Sequence, residues 1–153
     1  MRCATICLLL IAGFAIAQAP GIDPERRQAI LDYSLNLKRA NQLITAMTAM
    51  NKHVMSLPDF QDRMKKSITM TASEQVAQID KDPKATAIVK ENGLTAREYI
   101  IGVPALRMAL LSAQGLPTGP RVVASPANIA FAKANLAELK PKMDAADGMR
   151  PGR

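Results

Sequence analysis

Helix-start signals recur along this sequence, and they constrain its fold more than any other feature. Three of them place a capping residue directly before a proline, at Asp23-Pro24, Asp82-Pro83 and Ser125-Pro126. Proline suits the first position of a helix, where its missing N–H has no partner to lose. Thr71 with Glu74 and Thr95 with Glu98 match the capping box, in which the two residues satisfy each other's backbone N–H groups. The sequence therefore predicts helices beginning at these points.

The apolar residues between these signals recur every three or four positions, which is the period of a helix. Gly93, Gly115 and Pro141 are typical helix stops. The pattern predicts about five helices, at residues 24–54, 60–79, 83–92, 96–114 and 126–140. The capping box at Thr71 could divide the second helix, but the apolar series runs through it, so we expect one helix with a bend at most.

These helices predict an all-α fold, arranged as a single elongated bundle with a central fourth helix. That helix is apolar on almost every side, which is typical of a buried element. Pro104 removes a backbone donor beside Gly102, so a kink is expected there. A first helix of roughly 45 Å would exceed the ~35–40 Å width of a compact domain of this size. We therefore expect it to form the long edge of the bundle or to overhang and pair with a second copy of the chain.

The two ends of the chain are expected to lie outside the helical domain at residues 18–140. Residues 1–17 combine Arg2, a short apolar run and the Ala15-Ile16-Ala17 pattern of a secretory signal peptide. Cleavage between Ala17 and Gln18 is expected, and the apolar run is shorter than the ~20 residues of a membrane-spanning helix. We therefore expect a periplasmic or secreted protein with no integral membrane span after cleavage. Residues 141–153 have no periodic apolar face and are expected to form a disordered tail.

Both cysteines lie in the expected signal peptide, at positions 3 and 7. Once it is removed, the chain can form no disulfide, thiolate metal site, cysteine nucleophile or covalent haem attachment. The sequence has a formal charge of +7, but acidic residues are interspersed with the basic ones. With no Trp, two Tyr and three Phe, it also lacks aromatic residues for base stacking, so nucleic acid is not an expected partner.

The stretch "MTAMNKHVM" contains the only histidine, His53, and three of the nine methionines. Thioether and imidazole groups suit Cu(I), so Met47, Met50 and His53 make a copper or non-covalent haem site an alternative. Met47, however, continues the apolar series of the first helix, where methionine commonly fills gaps in a core. The favoured interpretation is core packing for Met47 and a surface position for His53, with no metal and no cofactor.

No arrangement of residues predicts catalysis. Ser-His-Asp chemistry needs a base oriented by a carboxylate, whereas His53 stands at the end of the first helix beside lysine and methionine, and a Gly-rich phosphate loop is missing. We therefore expect no enzyme. Arg107 is the only charged residue between Glu98 and Arg121; its side chain either extends to solvent or contacts an anion or a carboxylate. A largely polar stripe at Asn128, Phe131, Asn135 and Glu138 is the best candidate for a contact surface, although Asn128 could instead support the Ser125 cap.

The segments "GLTAREYIIGVPALRMALLSAQG" and "SPANIAFAKANLAELKP" together resemble small exported all-helical proteins of bacteria that have no characterised activity. The resemblance covers roughly residues 83–140, rests on caps and helix patterns, and brings no catalytic or binding residue with it. It implies a bacterial envelope origin, and no characterised family is expected to match. The sequence thus predicts an exported, non-enzymatic helical protein that binds another envelope component or a small apolar ligand.

Overall fold

The structure, a computed structural model, describes residues 23–116 and 124–148. The expected signal peptide and its Ala17–Gln18 cleavage site lie outside these residues. Within the described ranges the chain is entirely helical, as predicted, but it forms eight helices rather than about five. They are α1 (Pro24–Asp32), α2 (Leu37–Met55), α3 (Phe60–Thr69), α4 (Ala72–Lys81), α5 (Pro83–Glu91), α6 (Ala96–Ala113), α7 (Pro126–Ala134) and α8 (Leu136–Gly148).

Helix α6 occupies the centre of the bundle, where the sequence placed it. It packs against α1, α2, α4, α5, α7 and α8. Leu106 and Ala109 are completely buried, and Leu110 is nearly so. Gly102 allows the backbone of α6 to lie close to the side chains of Leu43 and Tyr33. A Cβ atom at this position would be only 2.8 Å from atoms of both side chains. Pro104 lies inside α6, and the kink expected there stays a prediction.

The predicted caps are present, and this explains why so many helix starts were correct. The side chains of Asp23, Asp82 and Ser125 each accept hydrogen bonds from backbone N–H groups of the helix that follows. Thr71 and Thr95 form complete capping boxes with their glutamates. Local hydrogen bonding of this kind is encoded within four residues, so it does not depend on how the helices later pack.

The predicted long first helix is wrong, because residues 33–36 are not helical and separate α1 from α2. Asn36 caps α2 by accepting a hydrogen bond from the N–H of Arg39 at 2.8 Å. The longer of the two helices, α2, has 19 residues and is therefore only about 28 Å long. The expected pairing of two copies rested on a first helix long enough to overhang the bundle. Because α2 is too short for this, that expectation is no longer supported.

The predicted second helix is also two helices, α3 and α4, because Met70 and Thr71 have extended backbone angles. The capping box that begins at Thr71 satisfies N–H groups at the start of α4, so the chain can end one helix and begin another here. The apolar series that runs through this point was a weaker guide than the local cap.

The predicted fifth helix divides at Asn135, and its second part continues beyond the predicted end. Pro141, expected to stop the helix, lies inside α8. The disordered tail predicted from residue 141 is therefore wrong for residues 141–148, while 149–153 lie outside the described residues. Leu139, Met143 and Ala146 are all buried, and their helical spacing extends the apolar seam past Pro141 onto α2. Packing of this seam offsets the one backbone hydrogen bond that proline removes.

None of the helices described is both long and apolar enough to cross a membrane.

Candidate functional site

A cleft of about 250 Å³ opens between α2, α3, α4 and α6. Its apolar lining comes from all four helices. The residues are Met50, Val54, Met64, Ile79, Tyr99 and Ile100. Polar side chains, among them Gln75, Gln78 and Asp82, also border the space. An apolar hollow with a few polar groups at its edge is the usual form of a small-molecule site.

Helical spacing explains how each wall faces the cleft. Met50 and Val54 are four residues apart on α2, and Gln75 and Ile79 are four apart on α4, so each pair shares one side of its helix. Tyr99 and Ile100 extend from the first turns of α6, just after the Thr95 cap. The walls on α2, α4 and α6 are thus fixed by the core of the bundle.

The fourth wall, α3, is attached differently. None of its residues is buried and none belongs to the hydrophobic core among the described residues. A hydrogen bond from Gln75 Nε2 to the carbonyl oxygen of Ser67, at 2.9 Å, ties α3 to α4 across the cleft. Arg63 bonds to Asp59 within its own segment, with both carboxylate oxygens 2.9 Å from Nε. This wall therefore contributes no fully buried side chain, and the Gln75–Ser67 hydrogen bond is a polar contact that holds it to α4.

His53 and Asp82 form a partly buried pair behind the cleft. The distance from His53 Nε2 to Asp82 Oδ2 is 2.8 Å, and His53 is 7% exposed. The other carboxylate oxygen, Oδ1, accepts from the N–H groups of Lys84 and Ala85 and so caps α5. Because an ionised carboxylate only accepts hydrogen bonds, we assign the proton to Nε2. The pair joins the end of α2 to the junction of α4 and α5.

The environment of Asp82 lowers its pKa below the ordinary value of 3.8. Burial raises the pKa, but the hydrogen bonds from His53 and from the backbone N–H groups of Ala85 and Lys84, together with the charge interaction with His53, more than offset this. The carboxylate thus stays ionised at neutral pH, and its negative charge favours the N-terminus of α5.

A depressed pKa makes Asp82 a source of acid sensitivity. Its contribution to stability is present above the ordinary aspartate pKa and is lost as the pH falls through the lower, folded-state pKa, because the unfolded chain then binds the proton more readily. We expect Asp82→Asn to be less stable than the parent at pH 7 by about 1 kcal/mol or more, since it removes the negative charge that contacts His53 and favours the N-terminus of α5. Urea denaturation between pH 7 and pH 3 should then show a smaller loss of stability on acidification in the variant.

Asp80, an exposed aspartate two residues before Asp82, supplies the control for this experiment. Asp80→Asn removes one carboxylate from the same helix without touching His53 or the α5 cap, so its acid profile should follow that of the parent. If Asp82→Asn lost stability on acidification as steeply as the parent, Asp82 would not be the group responsible.

The structure does not support a shared role for Met47, Met50 and His53. Met47 Sδ lies 3.4 Å from a guanidinium nitrogen of Arg107, whereas Met50 lines the cleft and the His53 ring nitrogen Nε2 bonds to Asp82. A sulfur that already faces a cation is poorly placed to bind a metal cation. Met47 is 1% exposed, as expected for core packing, but the predicted surface position of His53 is wrong. No group of three or more His, Cys, Asp or Glu side chains in the described ranges could hold a metal ion.

Arg107 does not extend freely to solvent. Its guanidinium lies 2.5 Å from Oδ1 of Asp147, a carboxylate that is itself buried near the end of α8. Of the two alternatives that the sequence left open, the carboxylate contact is the one observed. The pair fastens α8 to the central helix, so Arg107 is not an exposed contact residue.

Three members of the stripe predicted as a contact surface make contacts within the protein. Asn128 is 3% exposed, and its side chain accepts a hydrogen bond from Leu35 N–H and donates one to the Tyr33 carbonyl. Phe131 is half-buried and packs against the core. Asn135 caps the end of α7, and its carbonyl oxygen accepts from the first turn of α8. The remaining member, Glu138, is exposed.

The cleft, by contrast, was missed from the sequence, because its residues come from four helices whose arrangement no local pattern specifies. Comparison with protein-family models, curated proteins and solved structures finds no match. This agrees with the expectation that no characterised family corresponds to this chain.

Proposed function

We propose that this chain is a non-enzymatic binding protein that takes a small, uncharged apolar molecule into the cleft between α2, α3, α4 and α6. The observation that carries this proposal is the cleft itself, with six large apolar or aromatic side chains around about 250 Å³. Pockets for drug-sized ligands measure about 300–1,000 Å³, so a ligand of this cleft is small. Of the two partners expected from the sequence, an envelope component or an apolar ligand, the cleft favours the ligand.

The nature of the lining supports an uncharged ligand. Asp82 borders the cleft and is ionised at neutral pH, which disfavours an anion beside it. Arg63 on the opposite wall is already paired with Asp59. Gln78, with both donor and acceptor atoms, can bond a neutral polar group of the ligand.

The absence of catalysis remains part of the proposal. The hydrogen bond of His53, the one histidine of the sequence, supports it. His53 Nε2 is bonded to Asp82, and Asp82 in turn caps α5, so this pair has a structural use. We further propose that the protein acts outside the cytoplasm, as the amino-terminal sequence predicts.

A blocked cleft tests the proposal. Gln78→Trp places a large side chain in the cleft, and we expect it to weaken binding of the uncharged fluorescent dye N-phenyl-1-naphthylamine at least about tenfold, because each tenfold loss needs only about 1.4 kcal/mol. Ala77→Trp is the matched control, since Ala77 is exposed on the same helix and does not line the cleft. Fluorescence titration of the parent and both variants measures the affinities. Failure of the parent to bind, or equal weakening in both variants, would contradict the proposal.

A further inference from the structure

Helix α3 carries an apolar side that the rest of the described protein leaves uncovered. Phe60, Met64 and Ile68 follow one another at intervals of four residues and so share one side of the helix. Ile68 is 82% exposed and Met64 is 41% exposed. Ile68 does not line the cleft, so the cleft and its ligand do not account for this exposure.

Positive charge flanks this apolar side. Successive helical residues are about 100° apart, so Arg63 and Lys65 lie on either side of Met64. Arg63 is paired with Asp59. Lys66 adds a further positive charge on the opposite side of the helix, and the ten residues of α3 include one acidic residue, Asp62. Basic residues at the borders of an apolar stripe are typical of helices that lie at a membrane interface, where they extend towards lipid head groups.

We propose that α3 docks the protein onto the surface of a bilayer containing anionic lipid, with Ile68 entering the interface. Charge complementarity selects this partner, because a local excess of lysine and arginine adds to the formal charge of +7 of the whole sequence. A second copy of the chain fits less well, since a symmetric pairing through α3 would bring two basic helices together. The proposal goes beyond the ligand-binding function and does not depend on it.

The residues to be changed, Ile68, Lys65 and Lys66, are all exposed, so the substitutions do not disturb the core. Ile68→Gln removes the apolar contact, and Lys65→Gln/Lys66→Gln removes the charge. We expect each variant to bind vesicles of phosphatidylglycerol and phosphatidylcholine about tenfold more weakly than the parent. The parent should bind such vesicles more tightly than pure phosphatidylcholine and should be released by high salt. Vesicle co-sedimentation measures all of these, and circular dichroism checks that each variant is folded.

Matched controls distinguish docking through α3 from general stickiness or charge. Leu37→Gln changes an apolar residue that is 39% exposed. Leu37 is the first residue of α2, whereas α3 follows the last residue of α2, Met55, which lies about 27 Å away along the helix. Lys38→Gln/Lys133→Gln removes the same charge from exposed positions outside α3. Both controls should bind nearly as well as the parent.

Three results would overturn the proposal. The first is that the parent shows no preference for anionic vesicles. The second is that Ile68→Gln and Leu37→Gln bind alike. The third is self-association in the absence of lipid that Ile68→Gln abolishes, as detected by sedimentation velocity, because the apolar side of α3 would then pair two copies. Dye binding in the cleft is measured without vesicles, so a failure of that function is distinguishable from a failure of docking.

Discussion

Leu106→Ala is expected to lower the free energy of unfolding by about 2–5 kcal/mol, because it leaves a cavity in a close-packed core. Leu106 is completely buried on α6, the helix against which most of the bundle packs. Few neighbouring side chains can move into such a space when helices surround it on several sides. Urea denaturation followed by circular dichroism measures the change.

The control for this truncation is Leu37→Ala, which removes the same atoms from a side chain that is 39% exposed. It should cost much less than Leu106→Ala, because most of its apolar surface already faces water. Equal losses in the two variants would mean that α6 is not the centre of the core.

Asn128→Ala is expected to destabilise the protein by about 2–6 kcal/mol, since it leaves two backbone groups without their partner at a cost of about 1–3 kcal/mol each. The groups are Leu35 N–H and the Tyr33 carbonyl, which bond to Asn128 at 3.1 and 2.7 Å. They lie in the extended segment between α1 and α2, so the variant should loosen that junction. Urea denaturation gives the free energy, and amide hydrogen exchange at Leu35 locates the loss.

Two comparisons make this prediction specific. Lys133→Ala changes an exposed residue on the same helix and should alter stability by no more than about 0.5 kcal/mol. Asn128→Asp keeps the acceptor for Leu35 but loses the donor to Tyr33, so it should retain protection at Leu35 better than alanine does. A stable, normally protected Asn128→Ala would restore Asn128 as a candidate contact residue.

Two errors of the sequence analysis involve partners that are distant in the sequence. The segment at residues 33–36 bonds to Asn128, which is 95 residues away from Tyr33 in the sequence, and a periodic apolar pattern could not reveal this contact. The position of His53 was misjudged because its partner, Asp82, is 29 residues away. Lys52 beside it suggested solvent, yet adjacent helical residues face different directions.

Some missed features did have a signal in the sequence. Ser34 and Asn36 are residues that favour caps and turns, and they stand inside the supposed first helix. Leu139, Met143 and Ala146 keep the helical spacing past Pro141. The exposed side of α3 was also readable as an amphipathic pattern, but only the structure shows that no core residue covers Ile68 among those described.

The sequence by itself determined that the described chain is helical and where most of its helices begin, because caps and capping boxes act within a single turn. It also determined that α6 is central, since a helix that is apolar on nearly every side must be surrounded. Only the tertiary structure decided what Asn128, Arg107 and His53 bond to, and where the cleft opens. These depend on side chains brought together from distant parts of the chain, and their bonds form only when the helices pack.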